Sequence, residues 1–144
     1  MCKSVELGKH IVKLCIKDNY DISPSKIQKL LYYMQSLYLY KYNKKLFDEN
    51  IIAWNCGPAI KEVNTYFTKF LSENHDDEII ANLFLLDEEM DVFKYVYEEK
   101  AFLTTEHLIE MTQNEKPWML TYDDGKGQNC IISVELLKGL FGGQ

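Results

Sequence analysis

The chain has 144 residues, a hydrophobic fraction of 47%, an aromatic share of 13% and a net charge of −6. A chain this long buries about 68–70% of its unfolded surface, so residues 1–144 are expected to form one self-sufficient domain without disulfide staples. No run approaches the ~18 apolar residues of a membrane span, and MCKSVELGKH lacks the apolar stretch of a secretory signal, so a cytoplasmic location away from membranes is expected.

Cys2, Cys15, Cys56 and Cys130 are scattered without a C-x-x-C pair and read as reduced thiols. His10, His75 and His107 lack metal-ligand spacing, and no metal is assigned. All sixteen basic residues are lysine, so the bidentate fork that reads guanine edges is absent and sequence-specific DNA recognition is disfavoured. Charge is uneven along the chain: residues 1–50 hold 9 lysines against 5 acids, whereas residues 51–144 hold 7 against 17.

From Val5 to about Lys17, apolar residues at 5, 8, 12 and 15 predict an amphipathic helix, with Gly8 as a close-packing position. Ser23-Pro24 then supplies an N-cap and a first-turn proline for a second helix running to about Tyr42. Ile27, Leu30, Leu31, Met34, Leu37 and Tyr38 form its core stripe. Tyr33 and Tyr40 project from the opposite side, where they read either as an exposed aromatic patch suited to binding or as packing around a central helix.

Ile51 to Cys56 alternates in the manner of a short strand. Gly57 permits a sharp turn and Pro58 presets a helical φ, so a third helix is expected to start at Pro58 and bury Ile60, Val63, Phe67 and Phe70. Trp54, at that junction, reads as a cap on the core. Cys56 reads as a small buried residue, with a nucleophile activated at a helix N-terminus as the sharper alternative. Asp76, Asp77 and Glu78 suit the first turn of a short helix, and the acidic run reads as a solvated face rather than paired catalytic carboxylates.

Met90, Phe93, Val96 and Tyr97 mark a further helix, and Thr104 is the expected N-cap of the next, with Leu108, Ile109 and Met111 on its apolar side. Together they resemble the start of a helix-turn-helix, but no basic recognition helix follows. Pro117 is expected to stop the second of these helices, and Asp123-Asp124-Gly125-Lys126-Gly127 to form a loop without phosphate-binding spacing. An extended segment at 130–132, a cap at Ser133 and an apolar helix through Leu136, Leu137, Leu140 and Phe141 close the chain.

Three blocks stand out in this order: KIQKLLYYMQ (Lys26 to Gln35), LFDENIIAWNCGP (Leu46 to Pro58) and NEKPW (Asn114 to Trp118). They resemble the successive signatures of the Panacea domain, the SocA-like antitoxins, and the spacing of Ile132, Glu135 and Leu137 is similar to that family's closing segment. The resemblance implies a compact, mainly α helical bundle with a short strand or hairpin element near residues 51–56 and 130–132. Such proteins occur in bacteria and their phages, often encoded beside a toxin. The implied activity is neutralisation of that cognate toxin by direct binding, in at least one branch with delivery to the ClpXP protease; no enzymatic activity, catalytic residue or cofactor is implied. Cys56, Ala59 and Lys61 depart from the family's common residues beside the Gly57-Pro58 turn.

On this reading the ring contacts to a partner would come from Tyr33, Tyr40, Trp54 and Trp118, since aromatic side chains carry most affinity at protein interfaces. The competing reading is a nucleic-acid-associated regulatory protein using Lys26, Lys29, Lys41, Lys44 and Lys45, a local basic face that the net charge of −6 does not exclude and whose affinity would fall steeply with salt. A cysteine or acid/base enzyme lacks a constellation with suitable partners.

Overall fold

The computed structural model describes residues 2–73 and 83–142. His75 and the acids Asp76, Asp77 and Glu78 lie outside the described residues, and so does the short helix expected there. The described chain is mainly helical, in the order α1 (Lys3–Asp18), α2 (Pro24–Tyr42), β1 (Ile52–Trp54), β2 (Gly57–Ala59), α3 (Lys61–Ser72), α4 (Asp87–Lys100), α5 (Thr105–Gln113), α6 (Lys116–Tyr122) and α7 (Val134–Gly139). A 3-10 turn, Asp123–Gly125, follows α6.

The first two helices form where their patterns place them. Val5, Gly8, Val12 and Cys15 are buried in α1, with Leu7 and Ile11. A Cβ at Gly8 would lie 2.6 Å from Cε2 of Phe67, so the bare backbone at this position is what lets the α3 ring seat against α1. Ser23 caps α2 by accepting from the Lys26 N–H at 3.0 Å, Pro24 opens the helix, and Asn43 ends it in the left-handed region at φ 56°.

α2 is the axis of the molecule, and α1, α3, α4, α5, α7 and β2 all pack on it. Every residue from Lys26 to Leu39 is buried, so the helix has no solvent face over that span. Tyr33 is only 1% exposed and does not belong to an exposed patch; of the two rings expected opposite the core stripe, only Tyr40, at 48%, faces solvent. The polar residues on α2 are instead wired inward, because a buried polar group without a partner costs about 1–3 kcal/mol. Gln28 accepts from the Ile60 N–H at 3.0 Å and donates to the Pro24 carbonyl and to Asn64 Oδ1. It thereby satisfies one of the N–H groups left open at the start of α3, whose N-cap residue, Ile60, has no side-chain hydrogen bond to offer. Gln35 accepts from the Leu46 N–H at 2.6 Å and donates to the Phe47 carbonyl at 2.7 Å, fixing the chain after α2.

The Gly57-Pro58 junction differs from its expected form. The chain turns through Asn55-Cys56 into a second strand, pairing Ile52 with Ala59, Ala53 with Pro58 and Trp54 with Gly57, and α3 begins only at Lys61. Ala53 uses its own backbone groups on the other edge, donating to the Cys130 carbonyl at 2.9 Å and accepting from the Asn129 N–H at 2.8 Å. Ala53–Pro58 is therefore a pair without mutual hydrogen bonds, the position in a ladder that tolerates a missing N–H. Residues 130–132 add a single bridge, Ile131 to Ile52, and the Ile132 N–H donates to the Ile51 carbonyl at 2.8 Å.

Pro117 also departs from expectation: it begins a helix rather than ending one. α5 stops at Gln113, and α6 starts at Lys116 with Glu115 as its N-cap and Pro117 in the first turn, where a helix leaves N–H groups unused anyway. Thr104 and Ser133 cap α5 and α7 as expected, accepting from His107 N and Leu136 N at 3.1 Å each.

Candidate functional site

The three sequence blocks converge around the middle of α2. From the helix come Lys29, Tyr32 and Tyr33, from the hairpin Trp54 and Gly57, and from the α5–α6 junction Thr112, Glu115 and Trp118. The hydrogen bonds between the blocks join residues far apart in the chain.

Glu115 is the hub. Its carboxylate accepts from the Tyr32 hydroxyl at 3.0 Å and from the Tyr33 hydroxyl at 2.8 Å. The two rings meet edge to face with centroids 5.0 Å apart, and Lys100 of α4 lies 4.6 Å from the Tyr33 ring centroid. Burial pushes the Glu115 carboxyl above its ordinary value, against the hydrogen bonds from Tyr33 and Tyr32 and the charge of Lys100. Both phenols are pushed well above theirs, by burial first and by the charge of Glu115 second. The result is a carboxylate held in one orientation by two rigid donors.

Gly57 sits at φ +113°, a conformation that favours glycine, and a Cβ there would lie 2.9 Å from Thr112 Oγ1 and 3.0 Å from Lys29 Cε. Both the backbone and the space require glycine. Lys29 lies beneath the turn, 1% exposed, and makes no ion pair among the described residues. Burial holds its pKa down to about 8, with Cys56 as a smaller opposing influence.

Trp118 donates from Nε1 to the Trp54 carbonyl at 2.7 Å and stacks on Tyr122 with centroids 4.5 Å apart. Gln113 adds a second tie to the hairpin, donating to the Asn55 carbonyl at 2.9 Å. Trp54 and Trp118 are both half-buried. Beyond Glu115, a cleft of about 510 Å³ opens between α6 and α7.

Of the four residues named from sequence, Trp118 is brought by its indole onto the Trp54 backbone, Tyr33 lies inside beneath Glu115, and Tyr40 stands apart near the C-terminal end of α2. Glu115 itself was not singled out in the sequence, although its place in NEKPW was the available signal. The lysine patch of the nucleic-acid reading is also divided. Lys26 is fully buried and bonds the Asp21 side chain at 3.1 Å and its carbonyl at 3.0 Å, and Lys29 is buried too, which leaves Lys41, Lys44 and Lys45 exposed. Cys2 and Cys56 are half-buried, Cys15 is buried and Cys130 exposed, all as free thiols. Among the described residues no helix is long and apolar enough to cross a membrane, and no group of three or more metal-ligating side chains is assembled.

No curated protein and no solved structure matches the chain. A family model described as "Antitoxin SocA-like, Panacea domain" matches residues 27–119, from the second residue of the α2 block to the residue after NEKPW. The side chains that join those blocks are thus the ones that assemble the site, and the chain belongs to the SocA-like antitoxin family, built on the Panacea domain.

Proposed function

We propose that this chain is an antitoxin that neutralises a cognate protein toxin by binding it directly. The observation that carries this reading is the family match over residues 27–119, which takes in the whole Glu115-centred assembly. Trp54 and Trp118 are half-buried residues that a partner could cover further, and Tyr40 is a more exposed one. Such anchors supply affinity when a partner completes their burial. Tyr33 acts from within, by fixing Glu115. The acidic balance of residues 51–144 suits a basic partner, since complementary charge speeds encounter and selects among partners. Delivery of the bound toxin to ClpXP is a second stage of the same reading.

Growth of a bacterial host expressing the protein encoded by the adjacent reading frame tests this. Expression of that protein alone is expected to arrest growth and co-expression of this chain to restore it. Rescue that persists in a host lacking ClpX places neutralisation in binding alone, and rescue lost there places it in proteolysis. A neighbour whose toxicity is unaffected by this chain contradicts the antitoxin reading.

A further inference from the structure

The cleft between α6 and α7 combines an apolar floor with acids. Pro117, Leu136 and Leu140 supply apolar lining, Glu115 and Glu135 supply carboxylates, and Lys116 stands on the rim. The apolar surface continues out of the cleft along α6. Leu120, one helical turn beyond Lys116 and Pro117, is 62% exposed, and Met119, one turn beyond Glu115, is 48% exposed. An apolar surface of this kind, open along one side, suits a peptide segment better than an enclosed small molecule.

Charge defines the occupant further. Glu115 makes no direct ion pair among the described residues, although the charge of Lys100 acts on it, and its orientation is already set by Tyr32 and Tyr33. Glu135 is exposed at the opposite wall. Both belong to the portion of the chain in which 17 acids face 7 lysines. A cation arriving here meets at Glu115 an acceptor that needs little reorganisation, while Lys116 disfavours a run of several bases.

We propose that the α6–α7 cleft receives an amphipathic helix of the toxin, with aliphatic or aromatic side chains against Pro117, Leu136 and Leu140 and a lysine or arginine between Glu115 and Glu135. The inference rests on the antitoxin reading and adds to it the surface and the chemistry of the partner. Apolar anchors at helical spacing hold the segment in the groove, and the base fixes its register.

The test is calorimetric titration of the purified adjacent-frame protein into Glu135→Lys, Leu120→Asp and the double variant, with Tyr95→Ala on α4 as a control at an exposed ring elsewhere. All the changes lie at exposed positions, and thermal melts establish that each variant is folded. Should Leu120→Asp not fold, Glu135→Lys alone carries the test. The double variant is expected to bind at least about 30-fold more weakly, with the control within about threefold of wild type. Wild-type binding that survives both cleft substitutions overturns the cleft and leaves the antitoxin reading standing. Absence of wild-type binding overturns both. Cleft substitutions that instead change the oligomeric state of the chain, read by light scattering, assign the cleft to a second copy and overturn the toxin as its occupant.

Discussion

Glu115→Ala is expected to lower the stability of the folded chain by about 3–5 kcal/mol, because it strands two buried phenol donors at about 1–3 kcal/mol each and opens a gap where the carboxylate stood. Tyr32 and Tyr33 are 0% and 1% exposed, so neither hydroxyl can turn to bulk water without disturbing α2. Urea unfolding of Glu115→Ala, Glu115→Gln and Tyr32→Phe/Tyr33→Phe, alone and combined, measures the coupling. Glutamine retains one acceptor oxygen and should lose less than alanine. Removing both hydroxyls in the Glu115→Ala background should recover part of the loss, because it removes the stranded donors. Strictly additive losses would mean that the two phenols do not depend on Glu115. Acidity gives an independent sign: the Glu115 pKa is raised in the fold, so its contribution is greatest below the ordinary carboxylate pKa and is lost as pH rises through the folded value. Glu115→Gln should remove that part of the pH dependence.

Lys29→Met is expected to act in the opposite direction and stabilise the chain at pH 7 by about 1–3 kcal/mol. Burial lowers the Lys29 pKa from 10.5 to about 8, a difference that converts to about 3 kcal/mol against the charged form. The unfolded chain binds more protons than the folded chain between pH 8 and 10.5. Wild-type stability should therefore rise with pH across that window, with the penalty for the ammonium fully present below it. Methionine matches the length of the lysine stem and carries no charge, so chemical denaturation between pH 7 and 9.5 should show a higher plateau at neutral pH and a flatter profile. A destabilised Lys29→Met, with the slope retained, would mean that the ammonium beneath Gly57 is held by favourable interactions.

Why the helices were legible and the joints were not follows from where the hydrogen bonds go. Ser23-Pro24, Thr104 and Ser133 announce helix starts through bonds that close within three residues. Gly57-Pro58 and Pro117 are ambiguous at that range, because proline suits both a helical first turn and a strand position that needs no N–H. What decides the first case is Ala53 bonding to residues 129 and 130, and what decides the second is the stop of α5 at Gln113. The same limit hid the site. Tyr33 reads as the polar back of an amphipathic helix until Glu115, 82 positions away, supplies an acceptor for its hydroxyl. Lys26 and Lys29 read as a basic surface for the same reason, although both are inside. The family signatures located the joints before their purpose was visible, since KIQKLLYYMQ contains Tyr32 and Tyr33, and NEKPW contains their distant partner Glu115.

The proposed direct neutralisation requires a complex, and mixing the purified chain with the purified adjacent-frame protein, followed by size-exclusion chromatography with light scattering, tests that most directly. The expected result is a single species of defined stoichiometry that persists at submicromolar concentration, corresponding to more than about 8 kcal/mol of binding free energy. Separate elution of the two proteins at about 10 µM, with both folded, would contradict neutralisation by direct binding.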